Sequence, residues 1–128
     1  MSGKYLLDTN IVIALFAKDP SVQKHIAKAE EVYPGHCYWR TFFWCFQVRT
    51  AKENSAHIEK FTASNTVLAC DIGTSWEYGR IKNILQKKGC PIPENDIWTA
   101  DLAMEHGLTL ISRDEHFKNI DELKRATW

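Results

Sequence analysis

The sequence predicts an α/β fold built around an open parallel sheet, and three observations carry that reading. A short apolar strand, Tyr5 to Leu7, gives way to a polar turn and then to helical spacing. A helical stretch starting at Asp96 turns at Gly107 into a second apolar strand, Leu108 to Ile111. Both strands run out into acidic residues, Asp8 in one case and Asp114 in the other. Such strand–turn–helix and helix–turn–strand units are the pieces of a doubly wound sheet, whose ligands sit outside the carboxyl ends of its strands.

Taken in order, Tyr5, Leu6 and Leu7 form the apolar run expected of a strand buried on both faces. The chain then turns through Asp8, Thr9 and Asn10, and apolar spacing resumes at Ile11, Val12, Leu15 and Phe16. All three turn residues are good helix N-caps, which is their plain structural role; an acid at this strand end also faces a cleft. Asp19 and Pro20 form a turn, and residues 21–32 read as a second helix with Val22, Ile26 and Ala29 on one face. Residues 51–61 suggest a short helix carrying Ala56, Ile58 and Phe61, and residues 66–71, TVLACD, a buried strand ending in Asp71. Ser75 to Lys88 is an amphipathic helix with Tyr78, Ile81, Ile84 and Leu85 inward, stopped by Gly89. A loop, CPIPEN, leads to Asp96 and a helix carrying Ile97, Ala100 and Met104. The second strand ends in Ser112, Arg113 and Asp114, and the final IDELKRATW supplies an edge strand or closing turn, with Trp128 covering apolar surface.

Asp8 at one strand end, Asp96 at a helix start and Asp114 at another strand end converge on one point in such a sheet. Carboxylates gathered in this way give the oxygen-only site that a hard cation such as magnesium prefers. Each acid singly reads equally well as a cap or turn former; the placement of all three favours a metal site. Asp71 reads as a helix cap, and Asp101, five positions beyond Asp96, falls on a different face of its helix, so neither joins the set.

The two segments that carry these acids, LLDTNIVIALF and NDIWTADLAMEHGLTLISRDEHF, resemble the first and last signature segments of PIN-domain proteins. The similarity is in particular to the VapC-type toxins of bacterial toxin–antitoxin pairs, and it spans nearly the full length. It implies one PIN-like domain over residues 1–128, a three-layer α/β/α fold with a central parallel sheet, ribonuclease activity, a homodimer and inhibition by a small cognate antitoxin. It also implies that Asp8 and Asp96 are ligands of Mg2+, with Mn2+ as a substitute, and that Asp114 is a further acid of the same site. Thr9 and Ser112 become hydroxyls standing behind the ligands.

Composition neither demands nor forbids this. The 128 residues suit a single domain with a real core, and a formal net charge of zero with 45% hydrophobic residues excludes a disordered tail or a strongly basic nucleic-acid binder. An RNA substrate therefore needs a local basic patch, for which Arg80, Lys82, Lys87 and Lys88 are candidates; a solvated helix face is the alternative reading of the same residues. No long apolar stretch follows Met1 and no run reaches membrane-spanning length, so a soluble, cytoplasmic protein is expected, without a membrane partner. Cys37, Cys45, Cys70 and Cys90 lack CxxC spacing and are expected to be reduced, and His36 beside Cys37 has no zinc-ligand pattern around it.

One stretch breaks the pattern. Residues 34–49, PGHCYWRTFFWCFQVR, hold much of the aromatic content with neither alternation nor helical spacing, between flanks of ordinary composition. The resembled family places a strand here and then a helix carrying a glutamate in a segment like GELFFGA, whereas no acid occurs from Tyr33 to Lys52. A frameshift accounts for both facts. When the codons of residues 33–50 are read one nucleotide later, Trp44 followed by Cys45 forces glycine, and Tyr38 followed by Trp39 forces isoleucine or threonine. Trp39 followed by Arg40 gives glycine with a CGN arginine codon, and Phe42 followed by Phe43 permits phenylalanine. Arg40 followed by Thr41 gives glutamate if the arginine codon is CGA, and Thr41 followed by Phe42 gives leucine if the threonine codon is ACT. The shifted reading can be IPVIAIGELFFGAFKS, which is the missing segment. The hypothesis is a compensating pair of single-nucleotide shifts, one near Tyr33 and Pro34, the other near Arg49 and Thr50. The competing account takes the aromatics at face value, as a core plug or as stacking platforms for RNA bases beside Arg40 and Arg49.

The chemistry expected is metal-assisted hydrolysis of an RNA phosphodiester, impaired in the chain as it stands because the motif glutamate is missing. A catalytically silent relative that still binds an antitoxin is the alternative. A receiver-like α/β domain also clusters acids at strand ends, but this chain has no matching lysine-ended strand.

Overall fold

The computed structural model describes residues 3–34 and 70–128, together with 46–47, 52–53, 55–56, 59–60 and 68. Strand β1, Lys4–Leu7, is followed by helices α1, Thr9–Phe16, and α2, Pro20–Lys28, and by strand β2, Glu31–Pro34. After the central segment come α3, Ile72–Lys88, α4, Glu94–Glu105, strand β3, Thr109–Ile111, a 3-10 turn over Glu115–Asn119, and β4, Arg125–Ala126.

The strands form one sheet in the order β2-β1-β3-β4 with every neighbouring pair parallel. In register, Leu6 lies beside Tyr33 and Leu110, and Leu7 beside Pro34 and Ile111. Successive strand residues point to opposite faces, and here that alternation builds two cores. Leu6 and Leu110 pack with Ile81 and Leu85 of α3 and Ala100 of α4, while Leu7 and Ile111 pack with Ile11 and Val12 of α1 and Val22 of α2. The sheet is therefore sandwiched between α3 and α4 on one face and α1 and α2 on the other, the three-layer arrangement expected. All four leucine and isoleucine side chains at its centre are fully buried. Burying each contributes roughly 1.5–3 kcal/mol.

Local chemistry sets the helix ends. Asp19 accepts from the backbone N–H groups of Ser21 and Val22, and Pro20 occupies the first turn, where its missing N–H costs nothing. Asp71 and Thr74 form a reciprocal capping box at the start of α3, and Gly89, at φ +70°, ends that helix in the left-handed conformation that glycine adopts without penalty. The capping role expected of Asp71 is what the structure shows. α4 follows Pro93 without a side-chain cap, which leaves the carboxylate of Asp96, in its first turn, for other partners.

Two sequence readings need correction. The second helix stops at Lys28, and Glu31–Pro34 is a strand paired with β1. Ala29 takes an extended conformation, and the β-branched and aromatic pair Val32 and Tyr33 then suits a strand better than one more helical turn. Helix α3 also begins earlier than Ser75, and Ile84 faces outward at 39% exposure instead of entering the core. Of the helix expected over 51–61, residues 52–53, 55–56 and 59–60 are described and are helical; of the strand expected over 66–71 only residues 68, 70 and 71 are described, none of them in a strand, and residues 35–45 and 48–49 of the anomalous segment lie outside the described residues. Leu68 packs against the core on the α3 and α4 side.

The C-terminal segment behaves as an edge strand with an aromatic cover. Ala126 pairs with Ile111, and the Trp128 ring meets Tyr5 edge-on at 5.1 Å and stacks on His25 at 5.2 Å. Among the described residues no helix is long and apolar enough to cross a membrane. Cys70 and Cys90 are free thiols; Cys37 and Cys45 lie outside the described residues.

Candidate metal centre

The carboxyl ends of β1 and β3 lie side by side, and a chain of polar contacts runs from one to the other. Asp8 follows β1; its N–H donates to the Ile111 carbonyl at 3.0 Å and its Oδ1 accepts from the Thr9 N–H at 2.8 Å. The capping role is thus real, yet it uses only one carboxylate oxygen. The other, Oδ2, accepts the Ser112 hydroxyl at 2.7 Å. Ser112 Oγ in turn accepts from the Asp114 N–H at 3.0 Å and from the Asn10 side-chain amide at 3.4 Å. Its single proton and both lone pairs are engaged, which holds the hydroxyl in one orientation.

Asp114 caps the 3-10 turn by accepting from the His116 N–H at 3.0 Å. The His116 ring folds back over it, with Nδ1 3.0 Å from Asp114 Oδ1 and 3.4 Å from Asp96 Oδ2. Asp8 and Asp96 are both buried, whereas Asp114 is half-buried and His116 is exposed on one side. The contacts therefore link the three acids singled out in the sequence: Asp8 to Ser112, Ser112 to Asp114, Asp114 to His116, and His116 to Asp96. Thr9 contributes its backbone N–H to Asp8.

Asp96, Asp114 and His116 each offer one ligand atom, and these atoms all lie within 4.8 Å of one another. Two carboxylates and an imidazole at that spacing are a donor set that fits a divalent ion. His116 lies outside the set of acids that the sequence pattern selects, although a histidine two residues beyond a strand-end aspartate is a legible signal. Asn10 was likewise passed over; its side-chain oxygen accepts from the Arg113 N–H at 3.3 Å and ties the two strand-end turns together. The Arg113 guanidinium reaches the Trp128 carbonyl at 2.9 Å and Asp19 at 2.9 Å, and its hydrogen bond holds the Asp19 carboxyl below the usual range.

The basic residues proposed for RNA contact are largely matched by acids. Arg80 pairs with Glu77 and Glu122, Lys82 with Glu94, and Lys88 with Asp121. This is the solvated helix face of the two readings, worth little in stability pair by pair.

Away from the strand ends, the face of α4 that meets α3 holds a further acid. Asp101 is completely buried, and neither of its carboxylate oxygens has a hydrogen-bond partner among the described residues. Burial, followed by the charges of Glu105, Glu77 and Asp71, pushes its pKa up to about 7 against the opposing pull of Arg80. Thr74, also buried, donates its hydroxyl to Glu105 at 2.7 Å close by. Asp101 lies on a different face of its helix from Asp96, as the five-residue spacing predicts.

Known proteins share this architecture over their whole length. The chain is 29% identical to Ribonuclease VapC2 and 27% identical to Ribonuclease VapC1, both of Haemophilus influenzae, over 98% and 97% of each partner respectively. Among solved structures it is similar to VapBC-1 from nontypeable Haemophilus influenzae, with 25% identity and a TM-score of 0.85, covering 98% of both chains. It superposes equally well, at 21% identity, on a chain of VapBC2 from Rickettsia felis, solved bound to a promoter DNA fragment, again over 98% of both. The PIN domain family model matches residues 5–123, from β1 to just before β4, and the chain belongs to the PIN domain family.

Proposed function

We propose that this protein is a metal-dependent endoribonuclease, the toxin member of a type II toxin–antitoxin pair, with Mg2+ as its ion. The observation that carries the reading is the run of contacts from Asp8 through Ser112, Asp114 and His116 to Asp96 at the carboxyl end of parallel strands. The relatives named as VapC ribonucleases support the substrate class, and a similar solved chain described as a member of the VapBC family of toxin–antitoxin systems supports the partner. By the same family likeness the chain would work as a homodimer.

Asp8 and Asp96 are the ligands in this reading, and Asp114 completes the acidic set or orients water. When bound, the ion supplies Lewis acidity, lowering the pKa of a water and offsetting charge on the phosphate and the leaving oxygen. The protein's own part is positional. Ser112 fixes Asp8 by occupying one carboxylate oxygen, and burial of Asp8 and Asp96 keeps their lone pairs from being satisfied by bulk solvent. The absence of any acid between Tyr33 and Lys52 removes the glutamate expected of the complete site, so the chain as it stands should cleave more slowly than one with the GELFFGA reading restored.

The test compares RNA cleavage by the frame-restored chain with that of its Asp8→Asn variant, each with and without Mg2+. Loss of cleavage in the variant and on chelation is the expected result; undiminished cleavage in either case rejects the assignment. Antitoxin binding by the unrestored chain without cleavage would identify it as a silent binder instead.

A further inference from the structure

We infer that His116 supplies a nitrogen ligand, beside Asp96 and Asp114, to the ion of the metal centre proposed above, and that it shifts the preference of this site from Mg2+ toward divalent transition ions such as Mn2+. The inference rests on the metal-centre reading above and adds to it a residue outside the acid set. Its first support is distance. The Nδ1 atom stands 3.0 Å from Asp114 Oδ1 and 3.4 Å from Asp96 Oδ2. Donors at right angles on an ion with bonds of about 2.1 Å lie roughly 3.0 Å apart, close to both Nδ1 distances, and the three donor atoms all lie within 4.8 Å of one another.

The second support is how the ring is held. His116 sits in the 3-10 turn with its own N–H bonded to Asp114, and the next residue, Phe117, is fully buried in the core. The turn is anchored on both sides of the ring, so Nδ1 is presented to the two carboxylates by the backbone. With the proton on Nε2, the Nδ1 lone pair is available to an ion shared with the two acids that Nδ1 approaches. The third support is donor chemistry. Carboxylates alone suit Mg2+, which keeps its waters and oxygen ligands, while imidazole favours first-row transition ions.

A competing role for the ring is that of a cation which neutralises the two acids by itself, and metal binding separates the two. Mn2+ and Mg2+ affinities are measured on the intact chain and on His116→Ala, following free Mn2+ by electron paramagnetic resonance and Mg2+ by competition. The expected result is a fall in Mn2+ affinity of about tenfold or more with less than about threefold change for Mg2+. Pulsed resonance of the Mn2+-bound protein should show coupling to a directly bound nitrogen that His116→Ala abolishes. Equal losses for both ions, tighter binding of both, or no nitrogen coupling overturns the inference while leaving the acidic centre intact. The centre itself is tested separately by Asp96→Asn: unchanged Mn2+ binding in that variant, or uptake of neither ion at millimolar concentration by the unmodified chain, removes the reading on which the inference stands.

Discussion

The Ser112 hydroxyl donates to Asp8 Oδ2 at 2.7 Å across 104 positions of sequence. It joins the ends of two adjacent parallel strands and fixes the carboxylate that the strand–turn–helix motif presents. A hydrogen bond to a charged acceptor in a buried setting is worth about 1.5–3 kcal/mol. Ser112→Ala should therefore lower unfolding free energy by that order and weaken divalent-ion binding. Chemical denaturation and ion titration of the same variant check both.

Asp101 makes stability depend on pH in a direction opposite to most carboxylates. Its pKa is about 7 in the folded chain, against an ordinary value of 3.8. Between those values the folded state binds more protons than the unfolded one, so stability is fully present below about pH 4 and is lost as pH rises through 7. The loss approaches an upper figure on the order of 4 kcal/mol. Asp101→Asn should flatten this slope and make the protein more stable than the parent above pH 7, as read from denaturant midpoints at pH 5 and pH 8.

The capping box of α3 is a local device with a local cost. Asp71 accepts from the Thr74 N–H at 2.9 Å, and that bond holds its carboxyl below the usual range. Asp71→Ala should destabilise the fold by about 1 kcal/mol without altering metal affinity, because α3 lies on the sheet face away from the Asp8 turn. A shift in thermal midpoint with unchanged Mn2+ titration is the expected pair of results.

The aromatic segment makes a prediction about the gene. Sequencing the codons for residues 30–53 on fresh template should show an uninterrupted frame encoding the glutamate-containing segment. A shifted frame without a GEL segment rejects the frameshift account. A frame-restored chain should bind Mg2+ more tightly than the chain as it stands, by the contribution of one added carboxylate, measurable by calorimetry.

The sequence by itself determined the strands β1 and β3, the helices α1, α3 and α4 to within a few residues, and the three acids at their ends. These were legible because each is a local signal: an apolar run long enough for a buried strand, a polar turn, helical spacing, a glycine stop. β2 was not legible. The helical spacing of Val22, Ile26 and Ala29 continued into it, and only pairing with β1 decides that Glu31–Pro34 is extended. Tertiary structure alone decided that Ser112 reaches Asp8, that His116 reaches Asp96, and that Asp101 is buried with no hydrogen-bond partner among the described residues. Each depends on which residues distant in sequence the parallel sheet and its two helical layers bring within a few ångströms. Periodicity records which face a side chain takes, but not what stands opposite it, and both the proposed metal centre and the predicted pH dependence rest on that second quantity.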